Sequence, residues 1–347
     1  MESGKLGGTK ADLKTDDLIA ITGAGGFIGG SLAKYFYSKG FNRIRAVDKK
    51  PLDQWYQRLP EAENLSLDCS EEGACREVCE GAKEVYNLAA DMGGMGFIEH
   101  FRVECLRSIL INTHMIEAAH RAGVRRYFYS SSACVYNTLL QQDPGVRALK
   151  ESDAYPAMAE RGYGWEKLVS EMFCQEYWAE RGLKTFIARF HNVYGPNGTW
   201  DGGREKAPAA ICRKVVEAME TGGNTIQIWG DGHQTRSFMY IEDCVKGIDM
   251  IMHCDQLIAT PINLGSSELV SINELVDKVE KIAGVKLKRG YDLNAPRGVA
   301  GRNSENSFIK QALDWEPSTS LDVGLDATYR WIREQYCHRK EGQNVLL

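Results

Sequence analysis

Thr22-Gly23-Ala24-Gly25-Gly26-Phe27-Ile28-Gly29 (TGAGGFIG) decides the fold. The apolar stretch 18–22 runs straight into it and reads as a short buried strand, while 28–39 reads as a helix closed by Gly40. Glycines at 23, 26 and 29 supply a tight turn, room for backbone to approach a pyrophosphate, and close helix–strand contact. The free N–H groups and dipole at the helix start favour an anion there. Asp48 closes the next strand, 43–47, where its carboxylate can accept from both ribose hydroxyls and would repel a 2′-phosphate. The loop therefore predicts NAD, held by Gly23, Gly26, Phe27, Ile28, Gly29 and Asp48, with Asp68 after the third strand facing the adenine.

Outward from the loop, strand patterns at 43–47, 64–67, 84–88 and 126–129 alternate with helical patterns, clearest over 98–120 and 163–181. Such alternation implies right-handed crossovers and an α/β fold, a doubly wound parallel Rossmann-type sheet. Segments 184–189 and 259–264 read as sixth and seventh strands. After Phe190 the texture turns to loops such as YGPNGTWDGG and WGDGHQTR, which predicts a smaller mixed α/β lobe over the carboxyl edge of the sheet. The expected organisation is a flexible tail at 1–16, an NAD-binding domain at 17–190 with a segment returning near 237–265, and an interleaved substrate lobe at 191–340.

Composition narrows the function classes. The 347 residues carry Lys+Arg 42 against Asp+Glu 47, net −5, which argues against a nucleic-acid partner. No apolar run reaches the roughly 20 residues of a membrane span, and the polar first residues lack a secretory apolar segment. Ten cysteines are scattered without CxxC or zinc-site spacing, so no metal is expected and reduced cytoplasmic thiols are.

Tyr163 and Lys167, at i and i+4, share one helix face, where an ammonium together with a positive nicotinamide ring can bring a phenol toward working pH. That spacing recurs by chance. Its place downstream of the glycine loop and of Ser130-Ser131-Ser132 gives it meaning, with Ser132 holding the substrate alcohol.

TGAGGFIG, SSSACVY, YGWEK and RFHNVYGP stand in an order that resembles the extended short-chain dehydrogenase/reductases. Within them NLAADMGGMGFI (87–98), RFHNVYGPNGTWDGGREKAPAAICRK (189–214), WGDGHQTRSF (229–238) and GVAGRNSEN (298–306) are similar to the GDP-mannose 3,5-epimerases. The resemblance implies NAD and a GDP-sugar as ligands. It places Tyr163, Lys167 and Ser132 at the oxidation step, Cys134 at the ring-deprotonating thiol and Lys206 at the opposing amine. It assigns Gly93, Asn192, Glu205, Ala207, Lys214, Gln234, Arg236 and Arg302 to the nucleotide sugar, the two arginines suiting its diphosphate.

Oxidation at carbon 4 would acidify the protons at carbons 3 and 5, and inversion then needs a base on one face and an acid on the other. Alternatives left open are another GDP-sugar such as a GDP-heptose, inversion at only one carbon, and an epimerase–reductase of the GDP-fucose type. A non-catalytic NAD-binding scaffold fits poorly with an intact Ser132, Tyr163 and Lys167. The resemblance also implies a homodimer formed through 98–120 and 163–181, with no nucleic-acid or membrane partner.

Overall fold

A computed structural model describes residues 13–342. Most of the expected tail, 1–16, lies outside the described residues. The central sheet comprises β1 (Ile19–Thr22), β2 (Ile44–Asp48), β3 (Glu63–Ser66), β4 (Glu84–Asn87), β5 (Arg126–Ser132), β6 (Lys184–Phe190) and a last strand, Pro261–Leu264. They lie in the order β3-β2-β1-β4-β5-β6 followed by Pro261–Leu264, every pair parallel. The order reverses between β1 and β4, the point beyond whose carboxyl ends open α/β sheets bind ligands. This is the doubly wound sheet that the alternating pattern predicts.

Period-two alternation feeds two apolar layers. Ile19 and Ile21 pack with Phe36, Phe128 and Phe186 on one face, and Ala20 packs with Val47, Val85, Tyr127 and Ile187 on the other. The flanking helices are α1 (Phe27–Ser38), α2 (Glu72–Cys79), α3 (Met95–His100), α4 (Arg102–Arg121) and α5 (Tyr163–Arg181). The single helix expected over 98–120 is two. Phe101 leaves helical geometry (φ −115°, ψ 49°), so α3 ends and α4 starts afresh, with Phe101 stacked on Phe97 at 4.9 Å between ring centroids. The apolar pattern runs on through this corner and does not mark it.

The lobe contains α6 (Ala207–Thr221), the parallel pair Thr225–Trp229 and Lys288–Asp292, and the three-stranded group Leu269–Ser271, Thr235–Ser237 and Gly301–Arg302. In that group Arg236 and Arg302 are register partners, which sets two guanidinium side chains beside each other. Among the described residues no helix is long and apolar enough to cross a membrane.

Candidate active site

Strand β5 ends at Ser132, whose Oγ accepts from the Cys134 N–H at 3.2 Å and caps a single 3-10 turn, Ala133–Val135. That turn delivers the Cys134 side chain into a buried cluster with Tyr163, Phe97, Ile98 and Cys105. Helix α5 can come this close because its second residue is Gly164: a Cβ there would overlap the Cys134 carbonyl oxygen. Ser131, the residue before Ser132, donates to buried Glu171, and Arg189 of β6 grips that carboxylate with two bonds of 2.9 and 2.7 Å. The end of β5 is thus fixed from both sides.

The sulfur has charged company. Arg302 Nη1 lies 3.5 Å from Cys134 Sγ, and the rest of its guanidinium donates to Gln141 Oε1 at 2.6 Å and to Glu160 Oε1. Burial pushes the Cys134 thiol up, and the Glu160 carboxylate adds to that; Arg302, Ser132 and Lys206 pull it back down. Lys206 caps α6 and forms no ion pair among the described residues. Burial pulls its ammonium down, the Cys134 thiolate opposes this, and Arg302 reinforces it. The structure therefore brings Ser132, Tyr163, Lys206, Arg236 and Arg302 each within electrostatic reach of Cys134.

Burial holds the Tyr163 phenol well above its ordinary value, with Ser132 working against it. Lys167 is itself pulled down by burial, opposed chiefly by Glu166, and its Nζ sits 5.6 Å from the Tyr163 ring centroid. A cationic ring bound beside this phenol would favour its ionised form together with the ammonium. Glu166 is a residue the sequence analysis missed. Its Oε1 accepts from Asn112, Ser170 and Tyr129, while buried Oε2 has no hydrogen-bond partner and faces Lys167 Nζ at 4.0 Å. Asn112 leads on to Asn87 (2.9 Å) and thence to Thr22 at the head of the glycine loop (2.9 Å). A polar residue buried inside a helical pattern is the signal that could have exposed it.

The loop fits a dinucleotide. A Cβ on Gly29 would overlap the Gly23 carbonyl oxygen, so helix and loop need glycine at that contact. Helix α1 starts after Gly26 with no side-chain cap, which leaves its first N–H groups, at Phe27 and Ile28, free for an anion. Asp48 is half-buried at the end of β2 and takes the Lys50 N–H at 3.0 Å; exposed Asp68 takes Ser70 N–H at 2.8 Å.

The remaining candidates line the lobe side. Gly93 packs on Phe97 and Arg204, and the next residue, Gly94, donates to the Arg204 carbonyl at 2.9 Å, which fastens the start of α3 to the segment bearing Glu205, Lys206 and Ala207. Arg204 stacks on Phe97 at 3.9 Å and pairs with Asp91 at 3.0 Å. Phe97 also borders an open cleft of about 800 Å³ lined with Phe101, His100, Arg204 and Trp229. Glu205 is bound to Arg213 (3.1 Å), Asn192 to the Ser237 carbonyl (3.1 Å), and Lys214 to the Gln227 carbonyl (2.8 Å) with its Nζ over Trp229. Gln234 donates to the Trp229 carbonyl at 2.8 Å and leaves Oε1 buried without a partner. Arg236 is buried and, among the described residues, hydrogen-bonds only carbonyls, those of Thr235, Val299 and Arg297, at 2.7, 2.6 and 3.1 Å. Burial, with Arg302 adding to it, lowers its guanidinium to about 10. A buried cation that hydrogen-bonds no carboxylate among the described residues is suited to an anion brought by a ligand.

Residues 19–265 match the model of the NAD dependent epimerase/dehydratase family. The chain is 43% identical, over 95% of its length and 86% of the relative's, to GDP-mannose 3,5-epimerase of Arabidopsis thaliana. Among solved structures, UDP-glucose 4-epimerase of Thermotoga maritima with UDP-glucose superposes at a TM-score of 0.80 (21% identity, 92% of this chain and 99% of that one). MoeE5 in complex with UDP-glucose and NAD superposes at 0.76 (26% identity, 92% and 99%).

Proposed function

The chain belongs to the NAD dependent epimerase/dehydratase family, and from that premise we propose that it inverts carbon 5 and carbon 3 of GDP-mannose through a transient ketone at carbon 4. Inversion at both carbons yields GDP-L-galactose, and inversion at carbon 5 alone yields GDP-L-gulose. One observation carries this reading: a thiol, Cys134, shares a buried cluster with the oxidation-step phenol Tyr163. Oxidation and return at carbon 4 alone would need neither the thiol nor the amine.

NAD, which the glycine loop and Asp48 would hold, would supply the acceptor for the carbon-4 hydride and the donor for its return. Tyr163 takes the proton of the carbon-4 hydroxyl, which Ser132 steadies. The ketone then acidifies the neighbouring C–H bonds. Cys134 removes a proton from one face of the ring, and Lys206, its ammonium made a readier acid by burial, delivers one to the other face. Arg236 supplies the positive charge for the diphosphate. Gly93, Asn192, Glu205, Ala207, Lys214 and Gln234 wall the nucleotide-sugar cleft.

In this reading 17–190, with the returning segment 237–265, holds NAD, and 191–340 holds the nucleotide sugar. The same reading includes a homodimer: Val103, Leu106 and Leu110 of α4 and Trp165, Met172 and Trp178 of α5 are exposed, and the two helices pack side by side. Buried unpaired thiols such as Cys75, Cys79 and Cys105 suit a reducing compartment, the cytoplasm. The test is product analysis by NMR after incubation with GDP-mannose and no added cofactor. GDP-L-galactose and GDP-L-gulose are expected; unchanged GDP-mannose beside conversion of a GDP-heptose would overturn the hexose assignment.

A further inference from the structure

The three faces of the Arg302 guanidinium are all engaged within the protein. Nε donates to Gln141, Nη1 faces Cys134 Sγ, and Nη2 donates to Glu160. Gln141 is held in turn by the carbonyls of Tyr136 and Asn137 at 3.4 and 3.2 Å. Glu160 touches Cys134 a second way, because its own N–H donates to the Cys134 carbonyl at 3.0 Å. Both Glu160 and Arg302 are buried. One residue thus binds the carbonyl of the cysteine through its own N–H and the guanidinium partner of the same cysteine through its carboxylate.

We propose that Glu160 is a positioning residue for the proton-transfer thiol, its carboxylate clamping Arg302 across Cys134 Sγ and so deciding when the sulfur keeps its proton. This rests on the reading of Cys134 as a proton-transfer group. Arg302 is then chiefly a partner of the thiol, and its neighbour Arg236 meets the diphosphate.

Cations face the sulfur from several elements: Arg302 and Arg236 from adjacent strands, Lys206 from the cap of α6, and Lys167 from α5. Tyr163 of α5, Cys105 of α4 and the Ser132 hydroxyl complete the surroundings. Glu160 is the carboxylate that binds Arg302 beside the sulfur, while Glu166 faces Lys167. Without Glu160 those cations would act on the sulfur with less opposition and weaken its hold on the proton, and a thiolate that ionises easily is a weak base. With it, the sulfur recovers a proton between inversions and pulls harder on the next C–H bond.

The test is alkylation of Cys134 by iodoacetamide across pH 5–10 in the NAD-loaded full chain, read by peptide mass spectrometry. Glu160→Gln removes one negative charge beside a buried sulfur, so its alkylation midpoint should fall by about one to two pH units. Glu160→Asp should recover part of the shift, and Arg302→Lys, which loses the fork, should move the midpoint up. Should Glu160→Gln not fold, the Arg302→Lys shift carries the test. A midpoint within about 0.3 unit of the parent in whichever of these two variants folds overturns the proposal and leaves the reaction reading intact. Full turnover by Cys134→Ala would overturn the reaction reading while leaving a midpoint shift in place.

Discussion

Replacing Arg236 with methionine separates a residue kept for a ligand from one kept for the fold. Its guanidinium, normally at 12.5, is lowered to about 10 by burial. That is about 3 kcal/mol of uncompensated charge in the protein alone. The arginine is charged in both folded and unfolded chains below about pH 9, so this cost is constant across the working range. Against it stand the bonds to the Thr235, Val299 and Arg297 carbonyls, worth about 1 kcal/mol each. The two nearly cancel. Arg236→Met should therefore leave the melting temperature of the substrate-free protein within about 3 °C of the parent. Loss of charge-assisted contacts to phosphate, about 1.5–3 kcal/mol, should weaken GDP binding about 10- to 100-fold. Differential scanning calorimetry and titration calorimetry with GDP read the two halves. A melting temperature lowered by more than about 10 °C with unchanged GDP affinity would refute the reasoning and make Arg236 a structural residue.

Cys134→Ala and Lys206→Ala should each slow epimerisation by at least about 100-fold, yet substrate should still reduce bound NAD, seen by NADH absorbance, if Tyr163 serves that step as proposed. Asp48→Ala should weaken NAD binding and narrow the preference over NADP, measured by fluorescence titration with each dinucleotide. His253, between Glu84 (3.1 Å) and Asp249 (2.9 Å), is raised from 6.5 to about 10. Its pairing therefore stabilises fully below pH 6.5 and is lost as pH rises toward 10. Urea unfolding should show about 2–3 kcal/mol less stability at pH 9 than at 6.5, and His253→Asn should flatten that slope. If the exposed faces of α4 and α5 form the proposed dimer, Leu106→Glu with Leu110→Glu should give a monomer in sedimentation velocity runs, with NAD still bound.

The sheet was legible because its signals are local: TGAGGFIG joins a strand to a helix, and each later strand is a short apolar run between helical periods. The corner at Phe101 was not, since the apolar positions keep their spacing across it and only the backbone dihedrals change. The candidate site divides in the same way. Ser132, Cys134, Tyr163 and Lys167 lie in two short motifs that one turn and one helix start bring together. Glu160 and Gln141 sit outside any periodic pattern and become partners of Arg302 only when the lobe folds back across β5. Arg302 read from sequence suits a phosphate; its geometry adds a sulfur, a fact that no spacing contains.

Deuterium wash-in during a single incubation of the NAD-loaded protein with GDP-mannose in heavy water tests the central claim most directly. Carbon 5 and carbon 3 should acquire deuterium in both product and recovered substrate, carbon 4 should not, and no net NADH should accumulate. In Cys134→Ala the label should vanish. Inversion without label at carbons 3 and 5, or undiminished labelling by Cys134→Ala, would contradict a thiol-driven exchange beside a transient ketone.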